Sequence, residues 1–266
     1  DVKDSITSFQ NLIADVFLIS DNSASNILID FIGYNYFNLE MKKAGFDKTY
    51  LNHKFNPDPY VNNNWQISDL DNNIISSDND MQTIIRSNDK TKGLYKGEKR
   101  FHDGEVLNEP LNFSEKNRSS LTDMHNLIKS IFYPSIYDRD NYFNLTVEDY
   151  DFLRYWMSRF TYEDLGERFI EDENFFETYN KFFIYGDEKI VSNMGIRVYN
   201  KVGQAYGTSV DNALIKNYQD NIEFILTATI YTNKNKVVND NVYEYEEIGI
   251  PFLARLSRSI YNQYLN

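Results

Sequence analysis

Residues 18–26 have the sequence LISDNSASN and lie between two apolar patterns of helical spacing. Large apolar side chains recur every three or four residues from Phe9 to Phe17, and the same spacing continues from Ala24 to Ile32. Serine, aspartate and asparagine favour caps and turns, because their side chains bond to nearby backbone groups. The stretch therefore predicts a turn between two helices, with Ser20 and Asn22 on it.

A second decisive stretch, residues 199–207, has the sequence YNKVGQAYG. It begins within a predicted strand over residues 196–201, and further strands are predicted at 212–216 and 222–232. Pro251 opens a predicted terminal helix, where proline is tolerated at the first position. Other helices are predicted over 39–44, 174–185 and from Leu121 and Thr146. Helices, then an antiparallel meander, then a helix indicate an α+β fold with helices packed on an antiparallel sheet.

The two stretches resemble two signatures of penicillin-recognising serine hydrolases. Ser20-Asp21-Asn22 matches S-D-N and continues as S-D-N-x-A-x-N-x-L, while Lys201-Val202-Gly203 matches K-T-G with valine in place of threonine. The chain thus resembles the class A β-lactamase and penicillin-binding protein superfamily, of the Bacteroidota type. The resemblance implies a single β-lactamase/transpeptidase-like domain over residues 1–266, with an elaborated insertion at about 54–118.

The third signature of this superfamily, S-x-x-K, carries the nucleophile and should lie upstream of Ser20. None of the residues before Ser20 forms it. We therefore expect the nucleophile helix and two N-terminal strands to be missing from this chain. The strand over 222–230 would then present an unpaired apolar edge, which favours association. The chain alone is expected to be inactive and to need the missing N-terminal segment as a partner.

The resemblance also assigns roles to individual residues. Ser20 would relay a proton to the leaving nitrogen, and Asn22 would hold the substrate amide. Lys201 would place a positive charge near the proton relay and the substrate carboxylate. Gly203 and Gln204 lie on the predicted strand edge, where the backbone N–H of Gln204 would supply half of an oxyanion hole.

Three further matches are weaker. Glu109, in the loop 109–112, is similar to the glutamate that activates deacylating water in class A β-lactamases, but a solvated loop explains it as well. Ser87 and Lys90 form the only literal S-x-x-K, yet a polar stretch follows where a buried helix is needed. A second Ser-Asp-Asn begins at Ser77 in a polar run. We expect Ser77, Ser87 and Lys90 to be exposed and remote from Lys201.

Composition excludes several other classes of protein. The 266 residues carry a net charge of −13, which disfavours nucleic acid and anionic membranes as partners. The chain has no cysteine and three scattered histidines, so no metal site and no cofactor are expected. No apolar run approaches the roughly 20 residues of a membrane-spanning helix.

Two functions stay open from the sequence. The first is a serine hydrolase that acts on an amide or β-lactam carbonyl, such as a β-lactam or a peptidoglycan-type amide, through an acyl-enzyme. The second is a noncatalytic binding or scaffolding module that retains the fold. The resemblance implies a location in the periplasm or cell envelope.

Overall fold

The computed structural model describes residues 7–55, 66–68, 73–77, 93–136, 143–164, 174–193 and 195–265. Helix α1 (Phe9–Leu18) begins at Ser8, whose side chain accepts a hydrogen bond from the Asn11 N–H. Helix α2 (Asn22–Ile32) follows the predicted turn, and α3 (Tyr34–Lys43) starts earlier than the sequence indicated. The helical pair around Ser20 is therefore confirmed.

Small antiparallel strand pairs form within the described part of residues 54–118, the segment predicted to be an insertion. Strand β1 (Gln66–Ser68) pairs with β2 (Ile74–Ser77), β3 (Tyr95–Lys96) with β6 (Leu111–Asn112), and β4 (Lys99–His102) with β5 (Glu105–Leu107). The sequence Asp103-Gly104 is typical of a hairpin turn, and it joins β4 to β5 with positive φ at both residues, as a tight hairpin turn requires.

The principal sheet consists of three long antiparallel strands in the order β7 (Ile196–Ala205), β8 (Thr208–Asn217) and β9 (Ile222–Tyr231). Strand β8 starts four residues before the predicted strand, because a two-residue turn at Tyr206-Gly207, with φ of 51° and 77°, lets pairing continue to the end of β7. Within the described ranges, β9 pairs with β8 alone.

Helices cover both faces of this sheet. Leu214 of β8 packs with Ile128 of helix α4 (Leu121–Phe132) and Met157 of helix α5 (Val147–Ser158). Its neighbour Ile215 points the opposite way and packs with Leu253 of helix α7 (Ile250–Gln263). A single turn, α6 (Thr161–Asp164), follows α5. The α+β prediction, with helices packed on an antiparallel sheet, is confirmed.

The helical spacing of apolar residues predicts that Val147 in α5, Phe252 in α7 and Tyr264 at the end of α7 are buried. They are instead 71%, 43% and 58% exposed. Val147 is the first residue of α5, Phe252 lies off the face of α7 that Leu253, Ser257 and Tyr261 bury, and Tyr264 follows the last residue of that helix. Among the helices described, none combines the length and apolarity that crossing a bilayer would require.

The predicted helix over residues 174–185 is wrong. These residues form successive turns that pass beneath the sheet. Phe183, Tyr185, Thr178 and Lys181 are almost wholly buried there, and each points to a different partner. The Phe183 N–H, for instance, donates to the Asp211 carboxylate at 2.9 Å. Because tertiary contacts satisfy the backbone, the segment does not need helical hydrogen bonds.

The final strand, β10 (Val237–Val238), joins the C-terminal part of the chain to the insertion. It pairs in parallel with β4, and the Lys236 ammonium lies 2.6 Å from the Glu98 carboxylate, 138 positions away. A π-helical turn, Tyr245–Gly249, then leads into α7. The insertion is therefore held by residues that lie far from it in sequence.

Candidate active site

The turn between α1 and α2 holds Ser20 in a defined orientation. Ser20 has φ of 56°, in the left-handed region that residues other than glycine rarely adopt. Before it, Ile19 N–H donates to the Asp15 carbonyl at 3.1 Å; after it, Asp21 N–H donates to the same carbonyl at 3.2 Å. The Asp21 carboxylate then caps α2 by accepting from Ala24 N–H at 2.6 Å. Both sides of Ser20 are thus fixed.

Strand β7 brings Lys201 to this turn. The Lys201 Nζ donates to Ser20 Oγ at 2.7 Å and to the Val202 carbonyl at 2.7 Å. The predicted proximity of Ser20 and Lys201 is confirmed. Burial lowers the pKa of Lys201 to about 8, although the negative charge of Asp211 acts in the opposite direction. The ammonium is therefore more acidic than that of an ordinary lysine, next to a hydroxyl that can take its proton.

The other residues predicted to bind substrate lie near this pair in sequence. Asn22 is exposed at the first residue of α2, two positions from Ser20. Gly203 and Gln204 follow Lys201 at the outer edge of β7, where Gln204 is exposed. A Cβ built on Gly203 would have only Val210 within 4 Å, at 3.2 Å, so the described side chains leave room on this face of the strand. A substrate can therefore reach this part of the strand.

Glu109 occupies different surroundings. Its carboxylate accepts from Arg100 Nε at 2.9 Å and from Arg100 Nη2 at 2.6 Å, and its side chain is 58% exposed. It thus lies on the surface of the insertion as a partner of β4. Of the other matches, Ser77 ends β2, whereas Ser87 and Lys90 lie outside the described residues.

Sequence reasoning missed a buried polar chain behind Lys201. Lys181 Nζ donates to Asn200 Oδ1 at 2.8 Å, and Asn200 Nδ2 donates to the Asp211 carboxylate at 2.9 Å. Burial lowers the pKa of Lys181 to about 7 and raises that of Asp211 to about 6. One sequence signal could have revealed this buried chain: two polar residues, Asn200 and Asp211, stand at inward-facing positions of the strands β7 and β8.

No cluster of three or more His, Asp or Glu side chains suited to a metal ion occurs in the part of the chain that the structure describes. The groups that the described residues place at the site are a hydroxyl, an ammonium, a carboxamide and backbone N–H groups. Such a set can transfer protons and bind a carbonyl oxygen.

Comparison with known proteins gives similarities in both sequence and fold. The family model described as "Beta-lactamase enzyme family" matches residues 2–139, slightly more than half of the chain. The solved structure of PBP-A is similar at a TM-score of 0.54 and 14% identity, over 99% of this chain and 64% of that one. A PBP-A variant solved as an acyl-enzyme complex with penicillin G matches equally well, with the same values.

A β-lactamase from Sphaerobacter thermophilus DSM 20745 is similar at a TM-score of 0.53 and 13% identity, over 99% of this chain and 66% of that one. No curated protein matches the sequence. With coverages of 64% and 66%, this chain spans less than two thirds of the length of these structural neighbours. At such identities the likeness concerns the fold, and it bears out the predicted β-lactamase/transpeptidase-like architecture.

Proposed function

This chain belongs to the beta-lactamase enzyme family, and from this premise we propose that it forms part of a serine hydrolase acting through an acyl-enzyme. The substrate is an amide or β-lactam carbonyl. One observation carries the proposal: the 2.7 Å hydrogen bond between Lys201 Nζ and Ser20 Oγ, beside the edge of β7 that pairs with no strand of the described residues. It joins a proton donor to a hydroxyl that can pass the proton on.

The proposed reaction needs a proton at the leaving nitrogen. A nucleophilic serine, which we place in an S-x-x-K segment upstream of these 266 residues, gives its hydroxyl proton to the lysine of that segment, attacks the carbonyl carbon and forms the new C–O bond. As the C–N bond breaks, the Ser20 hydroxyl gives its proton to the nitrogen and takes one from the Lys201 ammonium. With a pKa of about 8, Lys201 is largely protonated near neutral pH, yet it releases its proton more readily than an ordinary lysine.

The surrounding groups would bind the substrate. Asn22, exposed on the same turn as Ser20, would donate and accept hydrogen bonds with the substrate amide. The edge of β7 at Gly203-Gln204 would present a backbone N–H to the carbonyl oxygen as negative charge develops there. Because Val202 carries no hydroxyl, recognition of a substrate carboxylate would depend on the Lys201 charge.

Support for a β-lactam-type substrate comes from the structural neighbour whose printed title names an acyl-enzyme with penicillin G. Family membership and the Ser20–Lys201 pair are consistent with the same class of substrate. A penicillin-type substrate or a peptidoglycan amide would in turn place the protein in the periplasm or cell envelope.

The experiment uses the full-length protein and a fluorescent penicillin. We expect one covalent adduct per molecule, which peptide mapping by mass spectrometry locates on a serine of an S-x-x-K segment outside residues 1–266. The isolated 266-residue chain serves as the control and should remain unlabelled. Stoichiometric labelling of a serine within these residues would contradict the proposed division of the site. A full-length protein that binds penicillin without acylation would instead favour the noncatalytic module.

A further inference from the structure

The side chain of Asn180 joins two helices that end next to the candidate site. Its Nδ2 donates to the carbonyl of Phe17, in the last turn of α1, at 3.2 Å, and to the carbonyl of Arg159, just after α5, at 2.9 Å. Asn180 is only 3% exposed. Ser20 lies three residues beyond Phe17, so Asn180 holds the end of the helix that presents Ser20.

The backbone of the same residue contacts the strand that carries Lys201. The Asn180 carbonyl accepts from Asn200 Nδ2 at 2.9 Å. Asn200 and Lys201 are consecutive in β7 and point to opposite faces. Fixing the Asn200 side chain beneath the sheet therefore fixes the direction in which Lys201 leaves the other face, toward Ser20.

Lys181 anchors the segment that carries Asn180. It is fully buried, and its Nζ donates to the Met157 carbonyl at 2.8 Å and to Asn200 Oδ1 at 2.8 Å. The Asn200 carboxamide lies between this ammonium and the Asp211 carboxylate, with its oxygen toward the cation and its nitrogen toward the anion. This arrangement determines the orientation of the amide and leaves Asn200 little freedom to rotate.

Apolar packing alone would hold the turn that bears Ser20 less firmly against the strand that bears Lys201. Phe17 and Tyr199 both pack on the cluster around Leu214, but such contacts have little directional preference. The Asn180 amide supplies directional hydrogen bonds instead. Its Oδ1 is buried and has no hydrogen-bond partner among the described residues. The two hydrogen bonds that its Nδ2 donates therefore determine the orientation of this side chain.

We propose that Asn180 is a positioning residue, which joins the α1 turn bearing Ser20 to the β7 strand bearing Lys201 and so maintains the contact between them. The kinetic consequence of this role rests on the proposed function. The geometric consequence, a half-buried Lys201 ammonium kept against Ser20, rests on the contacts described above.

The first test measures the pKa of Lys201 without any assay of activity. The full-length protein is labelled with [ε-¹³C]lysine, the Lys201 signal is assigned from its loss in Lys201→Arg, and the signal is titrated in the native protein and in Asn180→Leu. Leucine has a similar size and no donor, and the change alters no charge. We expect the Lys201 pKa to rise from about 8 toward its ordinary value, by on the order of one unit, as water reaches the ammonium.

Ser257→Ala is the matched control. Ser257 Oγ is buried, accepts from the Ile184 N–H at 2.7 Å and donates to the Ala254 carbonyl at 2.9 Å. Removing the Ser257 hydroxyl weakens the hydrogen bonding at Ile184, farther along the segment that carries Asn180, and leaves α1 and β7 untouched. The Lys201 pKa should therefore not change. A second variant, Asn180→Ala, gives the same readout if leucine prevents folding. An unchanged Lys201 pKa in the folded Asn180 variant would overturn the proposal.

The second test is a double-mutant cycle on penicillin acylation. We expect Asn180→Leu to slow acylation by about 10- to 100-fold when Lys201 is present, because small displacements of reacting groups have large effects on rate. In a Lys201→Ala background the same change should have almost no effect. An equal loss in both backgrounds would indicate general destabilisation and contradict positioning. A shifted pKa in a full-length protein that penicillin never acylates would leave positioning intact and refute the proposed function.

Discussion

Lys201 Nζ lies 2.7 Å from Ser20 Oγ although 181 positions separate the two residues in the chain. The contact depends on a helix that ends at Leu18 and on a strand that runs from Ile196 to Ala205. A hydroxyl on a left-handed turn and an ammonium of lowered pKa meet beside β7, whose outer edge pairs with no other strand within the described ranges. This pair gives rise to the first two predictions.

Replacing either member of the pair should slow acylation of the full-length protein by penicillin. We expect Ser20→Ala and Lys201→Ala each to reduce the rate by about 10²- to 10⁴-fold, the usual contribution of positioned proton transfer. Stopped-flow measurement of acylation gives the rates. Lys216→Ala is the control, because Lys216 is another lysine of the sheet and pairs with Glu223 at the surface. Equal losses at Lys201 and Lys216 would contradict a specific role.

Acylation should fall as the pH rises through about 8. The proposed relay needs the protonated Lys201, and burial lowers the pKa of this residue to about 8. Above that pH the neutral amine can no longer supply the proton. In Lys201→Arg the positive charge persists to much higher pH, so the decline should move upward or disappear. A wild-type rate that increases steadily from pH 7 to 10 would be inconsistent with this assignment.

The buried Lys181 should make stability increase with pH just above neutrality. Burial lowers its pKa to about 7 in the folded protein, so above pH 7 the unfolded chain binds more protons and the free energy of unfolding rises with pH. This slope is at most about 1.4 kcal/mol per pH unit for one group. Urea unfolding between pH 7 and 8 should show a smaller rise in the free energy of unfolding per pH unit in Lys181→Met than in the wild type. This range lies below the pH at which Lys201 contributes fully.

A control for that experiment is Lys216→Met. The ion pair with Glu223 raises the pKa of Lys216, so this lysine is protonated in both states between pH 7 and 8 and contributes no slope there. The pH dependence of unfolding should therefore match the wild type. A Lys181→Met protein whose slope equals that of the wild type would refute the assignment of the slope to Lys181.

Gly207 should tolerate alanine less well than Gly45 does. Both have positive φ, of 77° and 83°, but a Cβ on Gly207 would lie 2.7 Å from the Thr232 carbonyl oxygen, whereas nothing lies within 4 Å of one on Gly45. The left-handed conformation costs alanine about 1–2 kcal/mol at either position. At Gly207 the clash adds to this cost. We expect the free energy of unfolding, measured in urea, to fall by at least about 1 kcal/mol more in Gly207→Ala than in Gly45→Ala.

Glu109→Gln should change the hydrolysis of the acyl-enzyme by less than about 2-fold, within the range of surface substitutions. The carboxylate is largely exposed and is already bound by Arg100. The release of a labelled acyl group from the full-length protein measures this step. A decrease comparable to the loss of a general base, about 100-fold or more, would show instead that Glu109 activates water.

Local sequence signals were sufficient where a few neighbouring residues determine the structure. Thr146 and Asp149 were a near match to a capping box, and α5 begins with that reciprocal pair of hydrogen bonds. The Asp103-Gly104 hairpin and the start of the terminal helix at Pro251 are likewise determined by residues that are close in sequence. The Ser20 turn could be predicted because its cap at Asp21 depends only on the residues that follow it.

The remaining structure depends on contacts between distant residues. The aromatic spacing over 174–185 suggested a helix, but the backbone there bonds to side chains such as Asp211 and Ser257. Nothing near Lys181 in the sequence indicates that its ammonium will be buried against Asn200. The sequence thus indicated Ser20 and Lys201 through short motifs, whereas the groups that hold them could be found only in the three-dimensional arrangement.

The parallel pairing of β10 with β4 has a consequence for synthesis on the ribosome. The hairpin of β4 and β5 emerges first, but its parallel partner follows only after 138 further positions, the interval between Glu98 and Lys236. At ordinary translation speeds this interval lasts on the order of 10 s. During that time the open side of β4 is available to other strands in the cell. Nascent chains of this protein should therefore be most vulnerable to mispairing, and most in need of chaperones, before β10 emerges.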